Sequence, residues 1–359
     1  MKPHLALRSR SLPAALLIGG ACALLAPGAH AGLFDLAVDL AKGKVSAEKA
    51  TPYNFAAPPA AQSAQYVESV RASNIKDVKK VGIVNFTVEF ALYKSAQASG
   101  GGYRNPTTGE VQTRSISVEK AIPPPDVAAL QALTDRLYQS VQADLRQMGI
   151  EVVPFDVLKA TPNFAGLAPA QHASPWLTDT KDTQSVFMAP SAMPLYMDNP
   201  ERADFLQGLG MSFGTNTRMK EVMMTYDLKQ EVHLLSVNMV VDFATVQSSG
   251  NSFSAYGARA SGANVHHLHA GNTSYRFIST TQPELLYVKL KQPLVSDQSL
   301  WSQQSATTTK DTSVTGATTA TSTATETVGE FDSATYLKRS EDMLNAARQM
   351  FALELAKAR

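Results

Sequence analysis

The sequence predicts an α/β fold: a three-layer domain with a mixed sheet, long helices packed on it and a protruding β-hairpin. Three observations predict it. An apolar run, Val81-Gly82-Ile83-Val84-Asn85-Phe86, passes directly into strict alternation. Two stretches, 126–149 and 332–357, place apolar residues at helical spacing. A second block of alternating segments fills 231–290, as expected of an antiparallel meander.

The chain has 359 residues, enough for one large or two modest domains. Its 32 Lys+Arg nearly balance 31 Asp+Glu, so no basic excess recommends nucleic acid as a partner. A single cysteine excludes a disulfide framework and any cysteine zinc cluster.

The first 31 residues read as a signal peptide. Lys2, Arg8 and Arg10 precede an apolar stretch from Leu12 to Leu25, which ends in Pro27-Gly28-Ala29-His30-Ala31, a small-x-small cleavage site. The stretch is shorter than the roughly 20 residues a permanent span needs. Cys22, preceded by Gly20-Ala21, is a candidate lipidation site, although Ile18 sits one position early for that signal. Residues 32–78 are expected as an amphipathic helix, with Leu33, Leu36, Ala37 and Leu40 on one face, followed by a Pro- and Ala-rich linker over 51–63.

The α/β domain is expected over 79–300. After Phe86, positions Val88, Phe90 and Leu92 share one face, with Thr87, Glu89, Ala91 and Tyr93 on the other. A Gly-rich turn, 100–109, and a β-branched return from Val111 to Val118 complete the hairpin. Asp126 is the expected N-cap of a helix whose stripe is Val127, Leu130, Leu133, Leu137, Val141 and Leu145, closed by Gly149. Glu151-Val152-Val153 then gives a strand, which suggests a parallel crossover. Residues 160–200 show no period and read as an irregular insertion, with a short helix near 201–208. Strands are expected over 231–246, 253–268, 273–280 and 284–290. Fifteen of the 28 residues in 302–329 are Ser or Thr, so this stretch is expected as a disordered loop. The final helix, in 331–359, packs back on the domain.

The first strand, the helix ending at Gly149 before Glu151-Val152-Val153, and the strand and turn Val237–Gly250 together carry a resemblance. With the Ala-rich C-terminal helix, the order resembles the envelope group of the curli secretion channel component and the lipoprotein activators of penicillin-binding proteins. The resemblance covers 80–290 and 331–357. It implies a three-layer α/β domain and a role in assembly or transport, with no catalytic residues to carry over.

The residues themselves offer little chemistry. His266-His267-Leu268-His269 is the one metal-like cluster: on a strand His267 and His269 share a face, and His233 or Asp242 could complete a site. The Gly-rich run 208–214 lacks the Lys-Ser/Thr of a phosphate loop, and no nucleophile elbow occurs. Tyr103, Arg104 and Arg114 decorate the hairpin as candidate partner-binding residues, and the middle of the chain is rich in Met. The expectation is a non-enzymatic accessory protein exported to the periplasm, with outer-membrane association through a lipid anchor or the N-terminal helix. It needs no cofactor, and acts in assembly, secretion or surface-structure biogenesis on an envelope protein partner or on further copies of itself. The alternative is a periplasmic metal-binding protein or enzyme centred on His266–His269.

Overall fold

The longest strand organises the fold. A computed structural model describes residues 47–104, 106–167, 171–180, 182–196, 217–249, 258–280, 285–315 and 318–359. In chain order they form α1 (Pro59–Tyr66), β1 (Val67–Val70), β2 (Lys80–Arg104), β3 (Val111–Ala121) and α2 (Val127–Gln147). Then come β4 (Glu151–Val153), α3 (Phe155–Lys159), α4 (Pro162–Ala165), β5 (Gln171–His172), β6 (Trp176–Asp179), β7 (Thr183–Met188) and β8 (Leu195–Tyr196). The second half holds α5 (Thr217–Asp227), β9 (His233–Ser249), β10 (Arg259–Leu268), β11 (Ser274–Ile278), β12 (Leu286–Leu290) and β13 (Leu294–Val295). It ends with β14 (Trp301–Thr315), β15 (Thr318–Phe331) and α6 (Ser333–Ala358).

The fold is mixed α/β, built on one large mixed sheet with several helices. The sheet runs β1-β12-β11-β9-β2-β3-β15-β14. β2 pairs in parallel with β9 over Val81–Phe90 and with β4 over Lys80–Gly82. It pairs antiparallel with β3 over Tyr93–Arg104. β9 is long enough to carry two partners in turn, β11 against Leu234–Asn238 and β10 against Val241–Ser249.

Alternation explains which side chains are inside. Phe86, Val88, Phe90 and Leu92 are all buried in the main core. There they meet the stripe Leu130, Leu133, Leu137, Val141 and Leu145 of α2 and Met343, Leu344, Ala347, Met350, Phe351 and Leu355 of α6. Ring contacts fix the register, Phe86 edge-on to Tyr138 at 5.4 Å and Tyr275 edge-on to Phe351 at 4.9 Å. A second cluster gathers Leu158, Phe164, Leu167, Val222 and Met224 against Val84, Leu234 and Ile278. Leu234 and Ile278 are strand neighbours of Leu235 and Phe277, which belong to the main core. As expected, Asp126 caps α2 by accepting from Ala128 N at 2.9 Å, and Gly149 follows it at φ 72°.

Three expectations are corrected. The stretch 302–329, expected as a disordered loop, lies in two paired strands, running from Trp301 opposite Phe331 to Thr315 opposite Thr318. Its many threonines are β-branched and favour extended backbone, and β15 draws further ladder bonds from β3. The 51–63 linker is instead structural: Tyr53 is buried, edge-on to both Phe55 and Tyr66, and Pro59 opens α1. Within the irregular insertion 160–200, β7 joins the main sheet beside β2 because its end, Val186-Phe187-Met188, is wholly buried. The strand expected from 253 begins at Arg259 in the described chain. The signal 1–31, Cys22, the helix within 32–45 and the helix near 201–208 lie outside the described residues. No described helix is long and apolar enough to cross a membrane.

Phe351 is fully buried, whereas Met223 is 43 % exposed. Phe351→Ala is therefore expected to cost about 3–5 kcal/mol in urea unfolding and Met223→Ala less than about 0.5 kcal/mol.

Candidate functional site

The histidines of β10 enter a buried polar cluster. The ladder between β10 and β9 shifts register between Asn264 and His267, and beyond the shift His267 stands opposite Asp242. His266 and His267 are each 3 % exposed. The His266 ring lies on Tyr336 of α6 at 5.1 Å, and its Nε2 is 3.1 Å from Ser340 Oγ. His267 Nδ1 lies 2.8 Å from the Val265 carbonyl, which can only accept, so Nδ1 carries the proton and Nε2 a lone pair. The His267 and His269 rings are 6.5 Å apart.

Asp242 is the anionic centre. One oxygen accepts from the backbone N–H of Phe243 at 2.8 Å and Ala244 at 3.2 Å; the other takes Lys94 Nζ at 2.5 Å. Lys94 also donates to the Ala244 carbonyl at 3.0 Å. Burial alone would raise the Asp242 carboxyl, but Lys94, His267 and these hydrogen bonds hold it below its ordinary value. The imidazoles move the other way. Burial, reinforced by His267, pushes His266 down to about 3, and burial pushes His269 down to about 4 against the pull of Asp242. Burial also lowers His267. The cluster is thus one ion pair ringed by neutral imidazoles.

This arrangement holds charge and protons, and it does not assemble a metal centre. Among the described residues no three His, Cys, Asp or Glu side chains gather as metal ligands. Asp242, one of the two residues expected to complete such a site, is engaged by Lys94, and His233 begins β9, far along the strand from Asp242. Sequence reasoning found the histidines and Asp242 but missed Lys94, Tyr336 and Ser340. The signal for Lys94 was present: it continues the inward phase Phe86, Val88, Phe90, Leu92.

The hairpin candidates stand apart from this cluster. Tyr103 pairs with Gln112 and Arg114 with Gly100, both in the β2–β3 ladder, while Arg114 also faces Thr321 of β15. Arg104 is exposed and donates from Nε to the Gly109 carbonyl at 3.4 Å. A separate cleft is lined by Gln131, His172, Ser174 and Ser191. Two of its polar residues are bonded to neighbours outside the lining: Gln131 donates to the Ala189 carbonyl at 2.9 Å, and Asp135 accepts from Ser191 N and Oγ at 2.7 Å. Comparison with protein families, curated proteins and solved structures finds no match to this chain.

Removing the anion should strand a largely buried ammonium. Asp242→Asn is expected to cost about 3 kcal/mol in urea unfolding, and Lys94→Met with Asp242→Leu to recover most of that; a loss below about 0.5 kcal/mol for Asp242→Asn would remove the pair from the account. The pH response follows from the histidines. Their folded values lie below the ordinary 6.5, so the unfolded chain binds more protons once the pH drops below that point. Stability should be complete above pH 6.5 and fall toward pH 4 by up to about 1.4 kcal/mol per pH unit per histidine. Urea midpoints between pH 7.5 and 5 measure it, with a shallower slope expected for His266→Phe.

Proposed function

We propose that the protein is an exported cell-envelope accessory factor that works in assembly, secretion or surface-structure biogenesis through protein–protein contacts, with further copies of itself as the first partner. One observation carries the reading. β14 is a 15-residue strand at the end of the sheet, and among the described residues it pairs with β15 alone. An unpaired edge offers a full row of backbone donors and acceptors to another strand. Edges that must stay single are blunted by prolines, charges or shortness. β14 is long, has no proline, and carries only Lys310 and Asp311 as charges.

Dimensions support the same reading. At about 3.3 Å per residue, the 25 residues of β2 reach about 80 Å, whereas a globule of some 310 residues is about 50 Å across. The outer part of β2, with β3, β15 and β14, is in this reading a protruding hairpin enlarged into a four-stranded ribbon. The helices of the two clusters cover the sheet from either side as three layers. The signal-like N-terminus supports a periplasmic location in this reading, with membrane association through Cys22 or the 32–42 helix.

Light scattering after size-exclusion chromatography tests it. The protein is expected to form oligomers, and Thr307→Pro with Thr309→Pro in β14 to shift them toward monomer. A parent that stays strictly monomeric at high concentration overturns self-assembly. Intact mass after cell fractionation tests export, with Gly32 or a lipidated Cys22 expected as the first residue.

A further inference from the structure

An unbroken run of ring contacts joins the histidine cluster to the root of the β14–β15 ribbon. His266 lies on Tyr336 at 5.1 Å, Tyr336 meets Phe331 at 5.7 Å, Phe331 meets Trp301 at 5.5 Å, and Trp301 meets Phe243 at 6.2 Å. Trp301 opens β14 and Phe331 closes β15, and the two stand opposite each other in the ladder. Phe243 is the chain neighbour of Asp242. The ribbon is therefore held at its root by an aromatic clamp with an imidazole at one end and the Lys94–Asp242 pair beside the other.

The surroundings leave no place for an added positive charge. His266 is faced by His267 on its own strand, Asp242 from β9, and Tyr336, Ser340 and Arg339 from α6. Lys120 of β3 approaches the same strand at Gly262. The carboxylate of the cluster is already bonded to Lys94 and two backbone N–H groups. Arg339 is engaged by Asp297 at 3.3 Å and by Asp342 at 3.2 Å. His266 Nδ1 is buried with no partner among the described residues, so a proton placed there gains no hydrogen bond.

We propose that this clamp is a proton-operated hinge: acid charges His266, parts it from Tyr336 and Ser340, and loosens the first turns of α6 and the root of the β14–β15 ribbon, while the rest of α6 and the β2–β9 and β15–β3 ladders stay intact. Opening restores His266 to its ordinary affinity for protons. At pH 5 that favours the open state by roughly thirtyfold.

Hydrogen exchange by mass spectrometry on the full chain tests the hinge. Between pH 7.5 and 5, after correction for the intrinsic pH dependence of exchange, residues 331–342 should exchange at least about tenfold faster, while 81–92, 234–243 and 344–358 keep their protection. The second readout is Trp301, which Trp176→Phe leaves as the sole tryptophan; its emission should move to longer wavelength over the same range. His266→Phe keeps a ring on Tyr336 that cannot ionise, and should weaken the acid response by about thirtyfold. His266→Gln takes its place if that variant does not fold. Loss of protection in 81–92 together with 331–342, no response at pH 5, or a full response in the variant would each overturn the proposal.

Discussion

The parallel ladder between β2 and β9 is the interaction on which the rest depends. Parallel neighbours cannot be joined by a tight turn, so the chain must travel from Phe90 to His233 and return. Everything on that journey is placed by the ladder: β3, the crossover α2, the parallel strand β4, and the segment that adds β7 to β2. β9 then supplies one edge for both β10 and β11. The central strands are buried nearly throughout, from Val81 to Leu92 in β2 and from Leu234 to Ala244 in β9 apart from Asn238. Water cannot replace a broken ladder bond there, which makes the register costly to shift.

That same burial explains the polar interior. Asn85, Ser236 and Asn238 bond one another across the β2–β9 ladder at 3.2–3.3 Å, and Glu89 accepts from Ser185 at 2.7 Å. Arg276 and Glu221, both almost fully buried, form an ion pair at 2.8 Å that fastens α5 to β11. Each such group costs desolvation that its partner offsets, so the net stabilisation is small but the loss of either partner is large. The interior is thus specified more by matched polar pairs than its apolar core alone would require.

Local signals were legible in the sequence and distant pairings were not. The cap Asp126, the six-residue stripe of α2 and the Gly149 terminus lie within one stretch, and the helix forms where they point. The alternation in β2 likewise marks the inward side chains. β14 and β15 were illegible because threonine-rich composition suits both a solvated coil and a paired strand, and β15 finds β3 some 200 residues away. The histidines were visible as residues, but their depth was not. A polar strand end reads as exposed until α6 is known to lie over it and the register shift turns His267 toward Asp242.

The pairing of β15 with β3 also sets an order of events. Nine consecutive residue pairs, Thr318–Glu326 against Val111–Glu119, join parts of the chain made far apart in time. Closing a loop of that length is slow relative to local hairpins and helices, so β2–β3 and α2 can form well before the ribbon does. During synthesis, β3 therefore waits with one edge open until the last tenth of the chain arrives. A nascent or truncated chain ending before residue 318 presents that edge to its neighbours, and its hazard is premature aggregation rather than failure to collapse.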